Sequence, residues 1–179
     1  MALALLAGCT FPHGEPVATD RDARLDESAP KDATLDTNVD ARTCPAMIGC
    51  TAFQCASTSS CYYYCTTKTT WLGAQNACDD VTNGCLVTIN DQMEQDCIVA
   101  NVAPTFANYP WIGFVQAMSA PEPASGWGFV CGGSAFTAWN TGEPNNADVP
   151  GEDCAGMTDG GRWFDTDCTD QGRYLCEVQ

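Results

Sequence analysis

EPNNADVPGEDCAGMTDGGRWFDTDC, which occupies residues 143–168, is the stretch of this chain that says most about its fold. Between Glu143 and Asp170 the chain carries eight acidic residues and one basic residue. Carboxylates held this close repel one another unless water or a hard cation lies between them. Calcium accepts about six to eight oxygen ligands, and irregular loops can supply them from scattered positions. The pattern therefore indicates either a calcium site or an acidic loop that water solvates.

Four side chains in this stretch are the candidate calcium ligands. Glu143, Glu152 and Asp165 supply charged oxygens, and Asn145 supplies a neutral amide oxygen. A cis peptide bond before Pro144 would turn the two side chains that flank it toward the same ion.

The net charge of −16 narrows the classes of ligand. Residues 44–179 hold fifteen acidic residues against three basic ones, Lys68, Arg162 and Arg173. Such a surface repels nucleic acid and anionic lipid. We therefore expect no nucleic-acid partner, and ligands that are cations or neutral molecules held through a cation.

Thirteen cysteines among 179 residues indicate a disulfide framework formed in an oxidising compartment. A structural zinc site is the alternative, but no C-x2-C pair occurs and His13 is the only histidine. Because His13 lies in a polar, proline-rich stretch, Ser–His and Cys–His hydrolases are disfavoured as well. A glycosidase with paired carboxylates remains open by composition, although nothing indicates a deep cleft. We therefore expect a binding protein and no enzyme.

The first nine residues end in Leu6-Ala7-Gly8-Cys9, which resembles the lipobox of bacterial lipoproteins. The resemblance implies a leader over residues 1–9 and a lipid on Cys9 as the only membrane contact. It also implies an extracytoplasmic protein, secreted or lipid-anchored in a bacterial cell envelope. Removal of Cys9 would leave twelve cysteines, enough for six disulfides. The apolar run is short and lacks a preceding basic residue, so an ordinary apolar N-terminus is the alternative.

Two regions follow this leader. Residues 10–43 are rich in aspartate, contain three prolines and have few core-forming side chains, which predicts a disordered acidic linker. All five tryptophans lie beyond it. Residues 44–179 are therefore expected to form one folded domain with a cysteine-rich N-terminal extension.

Hydrophobic periodicity predicts two helices and several strands in the folded part. The first helix should begin after Thr70 and bury Trp71, Ala74 and Cys78 on one face. The second should follow a capping box at Asp91-Gln-Met-Glu94 and bury Met93, Cys97, Ile98 and Val102. Predicted strands cover residues 61–65, 85–89, 111–114 and 173–178, and residues 115–172 are predicted to be mostly irregular.

Seven motifs that occur in order together resemble the C-type lectin-like domain. They are Cys61-Tyr, Trp71-x2-Ala74-x3-Cys78, Trp111-Ile-Gly-Phe114, Glu143-Pro-Asn145, Gly151-Glu-Asp-Cys154, Trp163-x-Asp165-x2-Cys168 and Tyr174-Leu-Cys176. The resemblance covers roughly residues 55–179. It implies a disulfide-rich α+β fold in which two helices flank a small antiparallel sheet and a long irregular loop region bears the ligand site. It also implies an outer disulfide Cys78–Cys176 and an inner disulfide Cys154–Cys168.

The same resemblance assigns roles to the candidate ligands. Glu143, Asn145, Glu152 and Asp165 match residues that hold calcium while neighbouring hydroxyls of a sugar complete the calcium shell. The Glu-Pro-Asn motif accompanies mannose-type specificity, which covers mannose, fucose and N-acetylglucosamine. Auxiliary calcium ligands are expected at Asn146, Asp148 and Asp153.

Phe164 departs from the family motif, which has asparagine between the tryptophan and the aspartate. Its ring has no oxygen for an ion, but it could stack on the apolar face of a sugar or serve as a core residue. We therefore predict calcium-dependent carbohydrate binding, with sugar contacts at Glu143, Asn145, Glu152 and Phe164. The alternative is a scaffold of the same fold that adheres to protein or another surface without calcium.

Eight other cysteines of the folded part have no pairing implied by the core of the family motif. Within longer family members, an N-terminal hairpin disulfide would correspond to Cys55–Cys61. A second pairing, Cys85–Cys97, would join a strand to the second helix. The remaining members of this group are Cys44, Cys50, Cys65 and Cys131.

Overall fold

The computed structural model describes residues 43–102, 108–148 and 151–179. The expected lipidation site Cys9 and residues 10–42 of the expected linker lie outside the described residues. Within these ranges no helix has both the length and the apolar composition needed to cross a bilayer. The elements are β1 (Cys50–Gln54), β2 (Cys61–Thr69), α1 (Trp71–Asp79), β3 (Gly84–Leu86), α2 (Gln92–Val102), β4 (Pro110–Gln116), β5 (Trp127–Phe129), β6 (Cys154–Met157), β7 (Trp163–Thr166) and β8 (Gly172–Val178).

The strands form one mixed sheet. Its main path runs β1-β2-β8-β4-β6-β7, while β3 pairs with β8 and β5 pairs with β4. All of these pairs are antiparallel except β4 and β8, which run parallel with Trp111 opposite Tyr174. The predicted small antiparallel sheet therefore differs from the structure by this one parallel pair and by its larger number of strands.

Helix α1 covers one face of the sheet, as its sequence predicts. The Thr70 hydroxyl accepts a hydrogen bond from the Gly73 amide at 3.1 Å and so caps the first turn. Trp71, Ala74 and Cys78 are buried, and they pack in a cluster with Trp111 and other residues of the central strands. The predicted helical face is confirmed.

Helix α2 packs on the opposite face, but with a different inward face from the one expected. Ile98 and Val102 are buried as predicted and Cys97 is half-buried, whereas Met93 is 67% exposed. The reason is the start of the helix, where the Glu94 carboxylate turns inward and accepts bonds from Asn90 and from the hydroxyl of a buried tyrosine. This rotates Met93 toward solvent, so its predicted burial is wrong.

Residues 115–172 contain more regular structure than the sequence predicts. Strands β5, β6 and β7 lie within this range. They were not predicted because each has only three or four residues and their Gly, Trp and Asp content gives no clear alternation. Strands β5 and β6 form by pairing with β4, and β7 pairs with β6 in a hairpin at the candidate site.

All twelve cysteines of the described residues form disulfides, so none of them can build a zinc site. Both disulfides implied by the family motif are confirmed, namely Cys78–Cys176 and Cys154–Cys168. The other four are Cys44–Cys61, Cys50–Cys65, Cys55–Cys97 and Cys85–Cys131.

The expected pairing Cys55–Cys61 is wrong. Gln54 lies opposite Cys61 in the β1–β2 register, so Cys55 lies beyond the paired strands and bonds Cys97 of α2. Cys61 bonds Cys44, in the segment that precedes β1.

The expected pairing Cys85–Cys97 is wrong because the two residues face different helices. The Cys85 sulfur lies 3.7 Å from Nε2 of Gln75 on α1, while Cys97 belongs to α2 on the other side of the sheet. Cys85 bonds Cys131 in the segment after β5.

Two backbone segments approach each other closely at Gly113 in β4. Its amide donates to the Val87 carbonyl at 3.0 Å, and an added Cβ would lie 2.7 Å from the Leu86 carbonyl oxygen and 2.9 Å from that of Val87. Backbone atoms of a paired strand cannot move aside as the end of a flexible side chain can. A side chain at this position therefore forces the sheet to shift.

We expect Gly113→Ala to lower the free energy of unfolding by about 2–3 kcal/mol, because the new methyl group overpacks the core. Gly128→Ala in β5 is the control, since an added Cβ there meets nothing within 4 Å. Its effect should stay within about 0.5 kcal/mol. Denaturant unfolding with the disulfides intact measures both variants, and equal effects would contradict the packing argument.

Candidate functional site

A hollow of about 320 Å³ lies between the loop that precedes β6 and strand β7. All four predicted ligands line it, so the fold brings them together from separate turns. Five of the lining residues are acidic and none of them is basic. The lining residues are Tyr109, Glu143, Asn145, Asp148, Glu152, Phe164, Asp165, Thr166 and Asp170.

Asp165 is the structural centre of this hollow. It lies in β7 opposite Ala155 of β6, and its side chain is only 4% exposed. Its carboxylate accepts hydrogen bonds from the Asn145 amide, at 3.0 Å to each oxygen, and from the Asn146 amide at 2.8 Å. These bonds compensate for the loss of water around the charge and hold the loop against the strand.

Glu152 holds the other end of the same loop. One oxygen of its carboxylate accepts from the Ala147 amide at 2.5 Å, and its own amide donates to Oδ1 of Asn146 at 2.9 Å. Asn146 adopts a left-handed φ of 47°, which asparagine tolerates better than most residues. Hydrogen bonds in both directions thus join Glu152 to Asn146 and Ala147.

Glu143 and Asn145 flank a cis peptide bond at Pro144, as considered from the sequence. The Asn145 side-chain amide donates to Oε2 of Glu143 at 2.6 Å. The Glu143 carboxyl also lies within hydrogen-bonding reach of the Asp165 carboxyl. Three of the four candidate ligands are therefore in direct mutual contact.

Burial and neighbouring carboxyl groups raise the pKa values of Glu143 and Glu152. Burial, the bond to Asp165 and the charges of Asp165 and Glu152 raise the pKa of Glu143 from 4.5 to about 7. Burial also raises the pKa of Glu152, and the charges of Asp165 and Asp148 act in the same direction. The hollow therefore holds more negative charge than its own donors neutralise, which favours a bound cation.

Calcium fits this set of donors in chemistry, since every candidate ligand offers oxygen and the net charge is negative. In the structure, the carboxylates of Asp165 and Glu152 accept hydrogen bonds from backbone amides. Within the described ranges, no group of three or more histidine, cysteine, aspartate or glutamate side chains has an arrangement that could hold a metal ion. Coordination would therefore require Asp165 and Glu152 to exchange some of their N–H partners for the ion.

The three auxiliary candidates do not share one environment. Asp148 is exposed and lines the hollow, and the Asn146 side chain is bonded to the Glu152 amide. The Asp153 side chain is exposed and is not among the residues that line the hollow. Beside Asp153 lies Gln116, which is 4% exposed. The backbone amide of Gln116 donates to the Asp153 carbonyl at 2.8 Å, and its side-chain Oε1 has no hydrogen-bond partner.

Phe164 lies against the floor of the hollow. Its ring is 5% exposed and meets Tyr109 edge-to-face, with centroids 4.9 Å apart. Across the β6–β7 pair it faces Gly156, where an added Cβ would come within 2.8 Å of the ring. Little of the ring is left for stacking on a sugar, and the core role considered for Phe164 agrees better with this packing.

Sequence reasoning missed three residues of the hollow, Tyr109, Thr166 and Asp170. Thr166 lies two residues after Phe164 in β7, so strand alternation could have indicated it once the strand was recognised. Its hydroxyl donates to the Asp170 carboxylate at 2.9 Å. Tyr109 precedes β4 and reaches the site only through the tertiary fold.

Comparison with known proteins identifies the family. Residues 67–178 match the family described as "Lectin C-type domain". The mouse low affinity immunoglobulin epsilon Fc receptor is 34% identical over 118 residues, which are 65% of this chain and 33% of the receptor. Chicken hepatic lectin is 32% identical over 120 residues, 65% of this chain and 54% of the lectin. The chain thus spans about a third to a half of the length of these curated relatives.

Solved structures agree with these matches. The carbohydrate-recognition domain of the mouse scavenger receptor C-type lectin superposes with a TM-score of 0.62 at 29% identity, over 75% of this chain and 98% of that domain. The cow CD23 domain, solved in the presence of a GlcNAc2Man3 oligosaccharide, gives 0.60 at 27% identity over 75% and 95%. A calcium-independent type II antifreeze protein gives 0.59 at 27% identity over 75% and 92%.

The expected location in a bacterial cell envelope is wrong. Curated relatives that match include receptors and lectins of mouse, chicken and human. The short apolar N-terminus that suggested a bacterial lipoprotein is a weak signal beside a match that covers most of the folded part.

We expect the metal-free protein to gain stability when the pH is lowered from about 8 to 5. The folded carboxyl of Glu143 keeps its proton up to a pH of about 7, whereas in the unfolded chain it loses the proton near 4.5. The stabilising contribution of this proton is therefore complete below pH 4.5 and is lost as the pH rises through about 7. Melting temperatures in chelator measure it.

The matched variant is Glu143→Gln, which should flatten the dependence between pH 5 and 7. Glu122→Gln, at an exposed glutamate outside the hollow, is the control and should keep the slope of the parent protein. Equal slopes in all three proteins would show that Glu143 is not the titrating group.

Proposed function

Since this chain belongs to the C-type lectin domain family, we propose that its folded part is a carbohydrate-recognition module that binds sugar through calcium. The observation that carries the proposal is the convergence of Glu143, Asn145, Glu152 and Asp165 on one hollow with unneutralised charge. Sugar hydroxyls are neutral, so an acidic surface alone does not attract them by charge. A bound cation would attract the hydroxyl oxygens directly.

Each of the four residues has a distinct task in this proposal. Asp165 lies on rigid β7 and fixes the position of the ion relative to the sheet. Glu143 and Asn145 form an acceptor and donor pair, which matches hydroxyl groups that both donate and accept. Glu152 closes the loop behind them. When bound, calcium would attract the hydroxyl oxygens of the sugar as further ligands.

The Glu143-Pro-Asn145 order supports mannose-type ligands, including fucose and N-acetylglucosamine. In the structure the amide nitrogen of Asn145 points to Glu143, so one side chain already donates to the other. Two neighbouring hydroxyls of a sugar can take the place of this bond. One hydroxyl would accept from the Asn145 side-chain amide, and the other would donate to the Glu143 carboxylate. An auxiliary ion beside Asp148 would require the Asn146 and Asp153 side chains to turn toward it, since the three do not share one environment.

A second candidate function is adhesion without calcium. Two observations favour it, namely the buried Phe164 where the family motif has asparagine, and the backbone amides that already satisfy Asp165. The structural likeness to a calcium-independent antifreeze protein is compatible with such a role. Binding of sugar or another ligand that chelator leaves unchanged would establish this alternative.

Calcium should change the tryptophan fluorescence and raise the melting temperature, with a midpoint of about 10⁻⁴–10⁻³ M as in extracellular calcium-binding modules. Asp165→Asn should weaken the response at least about tenfold, because it removes a charged ligand. Asp167→Asn is the matched control two residues away, where the carboxylate accepts hydrogen bonds from Thr169 and does not line the hollow. An unchanged signal up to 10 mM calcium, about ten times the weakest expected midpoint, would exclude the calcium site.

Glycan-array binding should show mannose-, fucose- or N-acetylglucosamine-type signals that vanish in chelator. The combined change Glu143→Gln and Asn145→Asp exchanges the acceptor and donor at the two positions. We expect it to shift preference toward galactose while calcium binding persists. Signals that are indifferent to both chelator and this exchange would place the sugar elsewhere on the protein.

A further inference from the structure

Among the twelve cysteines of the described residues, Cys131 alone is exposed. Its partner Cys85 is 8% exposed, and the cysteines of the other five disulfides are buried or half-buried. Thiol–disulfide exchange begins with attack of a thiolate on one sulfur, and its rate depends on access to that sulfur. The Cys85–Cys131 disulfide is therefore the one that a reductant reaches first.

Space for an attacking reagent lies directly beside this disulfide. A hollow of about 330 Å³, separate from the candidate calcium site, is lined by both cysteines. Its other lining residues are Asn83, Gly84, Thr88, Glu177 and Gln179. A small dithiol fits a hollow of this size, and no part of the sheet has to open for it to reach the sulfur.

The buried sulfur has a hydrogen-bond donor suited to a leaving group. Nε2 of Gln75 lies 3.7 Å from Sγ of Cys85. Attack on Cys131 expels Cys85 as a thiolate, and an amide N–H stabilises that charge. Exposure thus directs attack to Cys131, and Gln75 favours departure of Cys85.

The disulfide holds a segment that leads to the candidate calcium site. Cys131 is followed by Gly132 and Gly133, both with left-handed φ, of 80° and 119°. Further along, the Ala138 carbonyl and the Asn140 amide pair with the backbone of Trp163 at 2.9 and 2.8 Å. The Glu143 amide then donates to the Asn140 carbonyl at 3.1 Å. Further contacts also hold residues 131–137 to the rest of the domain. The Ser134 hydroxyl donates to the Asn90 carbonyl at 3.0 Å, and the Phe136 ring meets Trp163 edge-to-face with centroids 5.9 Å apart.

We infer that Cys85–Cys131 is a site of thiol–disulfide exchange with dithiol reductants, and that its cleavage loosens the segment that positions Glu143. The first thiolate forms a mixed disulfide with Cys131 and releases the Cys85 thiolate. The second thiol of the reductant attacks the mixed disulfide and releases the Cys131 thiolate. Two electrons pass to the protein, the reductant becomes a cyclic disulfide, and its two protons end on Cys85 and Cys131. The regulatory part of this inference rests on the proposed function.

Graded dithiothreitol, followed by iodoacetamide and peptide mass mapping of the folded protein, tests the exchange site. Cys85 and Cys131 should be alkylated together at a reductant concentration at least about tenfold lower than any other pair. Earlier labelling of another pair, or labelling of all pairs at once, would overturn the inference.

Two matched variants test the role of Gln75. Gln75→Leu should slow labelling of Cys85 and Cys131 by about threefold or more, because the leaving sulfur loses its donor. Gln92→Leu is the control, since Gln92 bonds Asp96 in α2 as Gln75 bonds Asp79 in α1. Equal rates in both variants would remove Gln75 from the mechanism.

Hydrogen exchange of the selectively reduced and alkylated protein tests the coupling, without any metal. The amides of Asn140 and Trp163 should exchange at least about fivefold faster than in the oxidised protein. The calcium midpoint should rise in parallel. Unchanged protection of these amides would overturn the coupling, whereas absence of a calcium response in both forms would count against the proposed function alone.

Discussion

The hydrogen bonds between the Asp165 carboxylate and the amides of Asn145 and Asn146 are the constraint on which the candidate site depends. A carboxylate that is only 4% exposed is costly unless donors replace its water. The loop supplies those donors and is itself ordered by doing so. Because the same oxygens are the proposed ion ligands, the loop conformation and the affinity for an ion depend on one side chain. Any ion that binds must compete with the backbone for Asp165.

The position of Asp165 is in turn fixed by the rigid part of the fold. Strand β7 pairs with β6 along its whole length, and the Cys154–Cys168 disulfide ties the two strands at their end. Trp163, two residues earlier, is fully buried and bonds Gln95 of α2. A ligand on a strand held in this way keeps its place while the loop around it changes partners. Such a division between a rigid anchor and an adaptable loop is typical of binding sites.

Buried acids elsewhere in the domain show what makes the candidate site different. The Glu94 carboxylate accepts bonds from the Tyr62 hydroxyl and from both nitrogens of Asn90. Glu177 accepts from Ser60 and from the Thr88 amide. Each of these acids is surrounded by donors that fasten helix or strand to its neighbour. Glu143 meets other carboxyl groups as well as a donor, and burial together with these neighbours raises its pKa to about 7.

The sequence by itself determined the family, the face and cap of α1, two of the six disulfides and the four residues that meet in the hollow. The face and cap of α1 are local, so the spacing Trp71-x2-Ala74-x3-Cys78 carries them. The two disulfides and the meeting of the four site residues were implied by the family resemblance of seven ordered motifs. Only the tertiary structure decided the other four disulfides, the short strands β5, β6 and β7, and the packing of Phe164 against Tyr109. No family motif in the sequence marks these features, and each depends on which partner the fold brings near, such as Cys131 for Cys85. The residues next to a cysteine or a short strand do not indicate which segment will lie beside it, because that depends on how the whole sheet assembles.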